Sequence, residues 1–139
     1  MTGQCSILYI NTDGCANTQA SALRALGFDV IEAADVPPRE TLAKHHGVIV
    51  RMKDGRRMTV VAARLRAAPL FGRRALIALV PASVTTRERR DAVDCGFNVV
   101  LPQESSGRDL AASILSLLRR FPEHRCLLRS HNNRRRAVA

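Results

Sequence analysis

Short apolar runs alternate along this chain with longer segments in which apolar residues recur every three or four positions. Such runs are typical of strands buried on both faces of a parallel sheet, and the longer segments are typical of amphipathic helices. The predicted strands are residues 6–11, 28–33, 47–50, 75–80 and 97–101. The predicted helices are residues 16–26, 38–45, 58–68, 87–95 and 107–120. Five strands alternating with five helices indicate an α/β fold, (βα)5, with a doubly wound parallel five-stranded sheet and helices on both faces.

The clearest local signals lie in residues 74–103. Thr85 and Thr86 can cap the helix that follows the strand 75–80, and Gly96 can end that helix. A second apolar run follows the glycine, so the segment is predicted to be a βαβ unit.

Two other segments predict how their residues are buried. Residues 28–33 mix apolar and acidic side chains, which is typical of a half-exposed strand at the edge of a sheet. The last predicted helix has an apolar stripe along one face, formed by Leu110, Ile114, Leu117 and Leu118.

Length and composition indicate one domain followed by a basic tail. The 139 residues are 46% hydrophobic, which is enough for one sizeable core, and we assign that core to residues 1–121. Residues 122–139 contain five arginines against one acid, Glu123, and residues 130–136 show no apolar periodicity. We therefore expect this tail to be flexible.

The chain is strongly basic, with a net charge of +10 that comes almost entirely from arginine. An arginine excess is typical of a GC-rich genome, and it is also typical of a protein with an anionic partner such as nucleic acid. The first residues lead directly into a strand without a signal peptide, and no apolar run approaches the roughly 20 residues of a membrane span. The expected location is the cytoplasm, without membrane contact.

The thiol and imidazole residues do not form a metal-binding motif in the sequence. The cysteines are Cys5, Cys15, Cys95 and Cys126. They contain no CxxC pair and are expected to be free thiols. Cys15 is open to two interpretations, a redox-active thiol at a helix N-terminus or a packed thiol. The pair His45 and His46 suggests either a metal site or a solvated helix end. We predict no metal and no cofactor, and no enzymatic activity, because GxSxG, HExxH and a glycine-rich phosphate loop are all absent from the sequence.

Three stretches of the sequence carry a family pattern. ILYINTD (7–13) is an apolar strand that runs into polar residues, LRALGFDVIEAAD (23–35) joins a helix to a strand, and residues 87–103 join a helix to a strand ending in LPQ. All three resemble corresponding parts of the receiver domain of response regulators. The resemblance covers residues 5–120 and implies a flavodoxin-like sheet with the strand order 2-1-3-4-5.

Receivers accept a phosphoryl group on an aspartate at the end of the third strand. An acidic pair after the first strand holds Mg²⁺ together with that aspartate. A hydroxyl after the fourth strand and a lysine after the fifth contact the phosphoryl group, and an aromatic residue on the fifth strand rotates inward. The resemblance places the acidic pair on Asn11 and Thr12, or on Thr12 and Asp13 after a shift of one residue, the acceptor on Arg51, the hydroxyl on Val80, the aromatic on Val100 and the lysine on Gln103.

The resemblance therefore implies a degenerate receiver, or pseudo-receiver, that keeps the fold without the phosphorylation chemistry. Arg51 offers no carboxylate to phosphorylate, and its positive charge repels Mg²⁺. Asp54, the nearest acid, is interpreted as a turn residue in the loop after the third strand. We expect Arg51 to lie within salt-bridge reach of Asp13 and to fill the space that the metal would use.

Three functions remain open at this point. The first is a signalling module that binds a histidine kinase or another two-component protein as an inhibitor or adaptor. Its candidate partner surface is formed by Arg87, Arg89 and Arg90, with a homodimer through the fourth helix and fifth strand as a variant. The second is a nucleic-acid-associated regulator whose anion contacts are Arg134, Arg135 and Arg136. The third is a phosphate or nucleotide sensor that uses Arg51 to read the anion.

Overall fold

The computed structural model describes residues 5–12, 14, 18–53, 58–66 and 74–138. The strands are β1 (Ser6–Asn11), β2 (Asp29–Ala33), β3 (Gly47–Arg51), β4 (Ala75–Val80) and β5 (Val99–Pro102). The helices are α1 (Thr18–Ala25), α2 (Arg39–Leu42), α3 (Met58–Arg66), α4 (Thr86–Cys95), α5 (Gly107–Leu118) and α6 (Arg125–Val138). A short 3₁₀ turn, Pro122–His124, joins the last two helices.

The strands form one five-stranded sheet in the order β2-β1-β3-β4-β5, and all four strand pairs are parallel. The predicted fold class and strand order are thus confirmed. In the register, Asn11 of β1 lies beside Arg51 of β3, and Arg51 lies beside Leu79 of β4. The residues that end β1, β3 and β4 therefore meet at one edge of the sheet, which we call the carboxyl edge.

The core has two layers, one on each face of the sheet, because successive side chains of a strand point to opposite faces. One layer joins alternate residues of the strands to α3 and α4 through Val61, Leu65 and Ala92. The other layer joins the remaining strand residues to α1 and α5 through Leu23 and Ile114. Both faces are covered by helices, as expected for a doubly wound sheet.

Helices α1 and α5 approach each other closely at Gly107. A β-carbon added to this glycine would lie 2.5 Å from the β-carbon of Ala22. Glycine is needed here because the space that a larger side chain would take is already filled by α1.

The predicted burial patterns of β2 and α5 are confirmed. In β2, Val30 is buried and Ile31 is 48% exposed, as expected at the edge of a sheet. In α5, all four residues of the predicted stripe are buried. The fifth strand begins two residues later than predicted, since Phe97 is buried in the preceding loop and the Asn98 side chain accepts a hydrogen bond from the Leu76 amide at 2.7 Å.

The flexible tail expected after Pro122 is wrong, because most of that segment forms α6. Leu127 and Leu128 of α6 pack against the layer under α1 and α5. His131 is fully buried, and its ring lies 4.2 Å from the ring of Phe28, measured between centroids. Two half-buried leucines and one buried histidine among the arginines form too weak an apolar period to be seen in the sequence. The assignment of residues 1–121 and 122–139 to separate units stays a prediction.

The histidine pair before β3 lies at the opposite edge of the sheet, and the expectation of a solvated helix end is wrong for His45. This residue is only 5% exposed, and its Nδ1 lies 2.8 Å from Oγ of Ser6. His46 is half-buried, accepts a hydrogen bond from the Ser6 amide at 3.0 Å, and its ring meets that of His124 edge-on. Burial lowers the pKa of both His45 and His46, so each favours the neutral form.

Within the described residues, no helix is both long enough and apolar enough to cross a membrane.

Candidate functional site

The backbone brings the ends of β1, β3 and β4 together with the segment after β5. The Thr12 amide and hydroxyl both donate to the Arg51 carbonyl, at 3.2 and 2.6 Å. On the other side, the Gln103 amide donates to the Val80 carbonyl at 2.9 Å. In open α/β sheets, ligands and chemistry gather at this edge. Four residues that the sequence singled out therefore lie close together at the carboxyl edge: Thr12, Arg51, Val80 and Gln103.

The Arg51 side chain extends across the carboxyl edge towards α1 and the segment after β5. Its Nη1 atom lies 3.4 Å from Oε1 of Gln19 and 3.5 Å from the carbonyl oxygen of Gln103. Both contacts are at the long limit of hydrogen bonding, and the guanidinium is half-buried between them. A permanently charged cation thus lies at the end of the third strand.

The ion pair expected between Arg51 and Asp13 stays a prediction, because Asp13 lies outside the described residues. Asp54 and Cys15 also lie outside them. In the part of the chain that the structure covers, three or more His, Cys, Asp or Glu side chains do not come together in a group that could hold a metal ion.

Gln19 is a residue of this site that the sequence interpretation missed. Its side chain is 8% exposed, and its amide group donates to the carbonyl oxygens of Gln103 at 2.8 Å and Ser105 at 2.7 Å. Its Oε1 atom accepts a hydrogen bond from the hydroxyl of the fully buried Tyr9 at 2.5 Å. Gln19 therefore ties α1 to β1 and to the β5–α5 segment. A signal was present in the sequence, since Gln19 lies four residues before Leu23 and hence on the apolar face of the helix.

Gln103 is held by its own side chain as well as by Gln19. Its Nε2 atom donates to the carbonyl oxygen of Met52 at 2.6 Å, which links the segment after β5 to the residue that follows Arg51. The Met52 amide in turn donates to the Leu79 carbonyl at 2.8 Å. The side-chain amide of Gln103 is thus engaged within the protein and faces a backbone oxygen.

Val80 and Val100 belong to the layer of the core under α3 and α4. Val80 is fully buried, like every residue of β4, and Val100 is half-buried against the same layer. Neither side chain can donate or accept a hydrogen bond.

Two pockets lie at the carboxyl edge, and Arg51 lines the first of them. The first has a volume of about 450 Å³ and lies between α1 and the β5–α5 segment, with Gln19, Arg51 and Gln103 in its wall. The second has a volume of about 630 Å³ and lies between β3 and α3, with Met52, Lys53 and Arg64 in its wall. Arg64 is already paired with Asp35, at 3.1 Å.

The candidate partner surface on α4 is built on a well-capped helix. The Thr85 hydroxyl accepts from the Glu88 amide at 3.1 Å, and the Glu88 carboxylate accepts from the Thr85 amide at 3.0 Å. Arg87 and Arg90 are exposed, and Arg89 is half-buried.

This surface also contains features that the arginines alone did not indicate. Val93 is 50% exposed, and the acids Asp91 and Asp94 are exposed between the arginines and the helix end. The face of α4 is therefore of mixed charge with an apolar side chain in it, rather than uniformly basic.

The cysteines differ strongly in their surroundings. Cys5 is fully buried at the start of β1, and burial raises the pKa of its thiol to about 12. Cys95 is half-buried and Cys126 is exposed. The three anion contacts predicted in the tail, Arg134, Arg135 and Arg136, lie on α6, and their side chains are outside the described part of the structure.

No protein-family model and no curated protein matches the sequence of this chain. Solved structures do match its fold. A response regulator from Desulfuromonas acetoxidans is 22% identical, with a TM-score of 0.67 over 84% of this chain and 98% of that one. An orphan response regulator of H. pylori is 17% identical, with a TM-score of 0.60 over 85% and 99% of the two chains. The receiver domain of a signal transduction histidine kinase from Syntrophus aciditrophicus is 15% identical, with a TM-score of 0.60 over 85% and 92%. The chain therefore has the fold of response-regulator receiver domains.

Proposed function

We propose that this chain is a pseudo-receiver, a signalling module that works without being phosphorylated and acts by binding a histidine kinase or another two-component protein. The observation that carries the proposal is Arg51, whose guanidinium lies across the carboxyl edge in contact distance of Gln19 and Gln103. The function is one of binding, and the proposal assigns no catalytic residue.

Arg51 argues against phosphorylation in two ways. A guanidinium donates hydrogen bonds but has no lone pair to attack phosphorus at any physiological pH. Its charge also opposes a divalent cation, since like charges about 4 Å apart repel by roughly 4 kcal/mol or more per unit charge near a protein surface. If the acidic pair falls on Asn11 and Thr12, both positions supply neutral oxygens in place of carboxylates, and after a shift to Thr12 and Asp13 only one carboxylate remains. Neutral oxygens compensate this repulsion poorly.

The parts that would respond to a phosphoryl group are also replaced. Receivers use a hydroxyl after the fourth strand and an aromatic side chain on the fifth strand. The resemblance places these positions on Val80 and Val100 of this chain. Gln103, at the expected lysine position, is neutral and donates to the Met52 carbonyl. With Gln19 bridging α1 to the same segment, the carboxyl edge is held in one arrangement by internal hydrogen bonds. We infer a module whose surface is constant, so that its level in the cell rather than its phosphorylation sets its effect.

The proposed partner surface is the exposed face of α4 together with the neighbouring edge strand β5. It combines the exposed Arg87 and Arg90 with the half-exposed Val93, and β5 is half-buried at the end of the sheet. Charged residues around an apolar centre are typical of the interfaces of transient complexes. This surface is also the one we propose for the homodimer variant.

The test is an autophosphorylation assay of purified histidine kinases from the same organism, with and without this chain. We expect one kinase to form a complex and to autophosphorylate more slowly. The variant Arg87→Glu/Val93→Asp should abolish the effect, while Lys44→Glu, an exposed charge reversal near the opposite edge of the sheet, should leave it unchanged. Equal loss in both variants would remove α4 as the partner surface, and no effect of the chain on any kinase would contradict the function.

A further inference from the structure

The outer face of α6 is a basic surface that the proposed kinase complex does not use. Residues 119–138 contain seven arginines and one acid, Glu123, and α6 itself contains no acidic residue. Helix α4 differs from α6, because acidic residues lie among its arginines.

The packing of α6 decides which of its side chains face solvent. Leu127 and Leu128 pack against the core, and His131 is fully buried against Phe28. Because these residues occupy one side of the helix, the other side is turned outward. The exposed residues of α6 between positions 125 and 133 are Arg125, Cys126, Arg129, Asn132 and Asn133.

We infer that the outer face of α6 binds double-stranded DNA, with its arginines on the phosphates. Arg125 and Arg129 are one turn apart, about 6 Å along the helix axis. A DNA duplex carries one negative charge per about 1.7 Å of its axis, so a row of cations at this spacing meets phosphates in any register. An acidic protein surface would have to match the spacing with its own carboxylates.

The side-chain types and the helix itself favour duplex DNA over RNA. The major groove of B-DNA, about 12 Å wide, admits an α-helix, whereas that of an RNA duplex is too narrow for side chains to read. Asparagine, which supplies two of the exposed side chains of α6, is a residue type that pairs with adenine in that groove, while the arginines contact the phosphates. Single strands are bound largely by stacking on aromatic residues, and the outward residues of α6 from 125 to 133 include no Phe, Tyr or Trp.

The experiment is fluorescence anisotropy of a labelled 20-base-pair DNA duplex titrated with the full chain between 50 and 200 mM salt. We expect binding that weakens with salt. The variant Arg125→Gln/Arg129→Gln should bind at least about tenfold more weakly at 50 mM salt, and its plot of log K against log salt should be shallower by about 1.8, since two phosphate contacts are lost. Both substitutions are on the surface, and circular dichroism should show unchanged helix content.

The matched control removes two exposed arginines from a face of mixed charge. Arg87→Gln/Arg90→Gln on α4 loses the same charge and should change DNA affinity by less than about twofold. If both double variants lose affinity equally, binding reflects net charge alone and the assignment to α6 is wrong. Tighter binding to single-stranded RNA or to polyglutamate than to the duplex would also overturn the inference. The kinase assay tests a variant of α4 and the DNA assay tests a variant of α6, so failure of either proposal leaves the other testable.

Discussion

Replacing Gln19 tests whether the carboxyl edge is held in one arrangement by internal hydrogen bonds. In Gln19→Leu, the carbonyl oxygens of Gln103 and Ser105 lose a donor at 2.8 and 2.7 Å, and the buried Tyr9 hydroxyl loses an acceptor at 2.5 Å. Each such bond contributes about 1 kcal/mol net, so the free energy of unfolding should fall by about 3 kcal/mol. For a chain of this length the melting temperature should fall by about 10 °C.

The assay is urea denaturation followed by circular dichroism, with a control on the same helix. Ser21→Ala replaces an exposed residue of α1 and should change the free energy of unfolding by less than about 0.5 kcal/mol. The double variant Tyr9→Phe/Gln19→Leu should be more stable than the sum of the single effects predicts, by at least about 0.5 kcal/mol, because the two side chains interact directly. If Gln19→Leu is as stable as Ser21→Ala, the hydrogen bonds of Gln19 do not hold the edge and the reasoning is refuted.

Three further predictions concern other parts of the fold. Iodoacetamide should modify the exposed Cys126 quickly, and it should modify the buried Cys5, whose pKa is raised to about 12, only after unfolding. Mass spectrometry of the peptides shows which thiol reacts, and early modification of Cys5 would contradict its burial. Gly107→Ala should lower the free energy of unfolding, measured by urea denaturation, by about 1–3 kcal/mol, because the added β-carbon meets that of Ala22. Adding Ala22→Gly should recover part of this loss. Burial lowers the pKa of His46 in the folded chain, so the unfolded chain takes up a proton on this histidine first as the pH falls below about 6.5. The free energy of unfolding should therefore decline below that pH, and the decline should be shallower in His46→Gln. An identical pH profile in the variant would show that this histidine is not responsible.

The fold could be predicted because its signals are local. The apolar run of β4 and the stripe of α5 each define their burial within a few residues, and the alternation of such segments implies a parallel sheet. The residues at the ends of the strands could also be placed at one edge, since that follows from the parallel order alone.

The interactions of buried polar residues could not be predicted in the same way. Gln19 is joined to Gln103 across 84 positions of the sequence, and His131 of α6 is buried against Phe28. A polar residue in an apolar stripe indicates that some partner exists, but only the packing of distant elements shows which one. The α6 helix was missed for this reason, because Leu127, Leu128 and His131 find their neighbours in other parts of the chain.

The pocket residues illustrate a further limit. The structure joins Arg51 to Gln19 and to the Gln103 carbonyl, which the sequence did not indicate, and the ion pair with Asp13 stays a prediction. A long flexible side chain reaches several groups from one strand end, so the sequence position of Arg51 predicts the edge at which it lies but not all of its partners.

The most direct test of the account is phosphotransfer from a histidine kinase that binds this chain. The kinase is first autophosphorylated with radioactive ATP, then mixed with the chain and Mg²⁺, and the label is followed on a gel over time. We predict that the label stays on the kinase while the two proteins form a complex, because Arg51 at the end of β3 offers no acceptor. Transfer of the label to this chain would contradict the claim that it signals without phosphorylation.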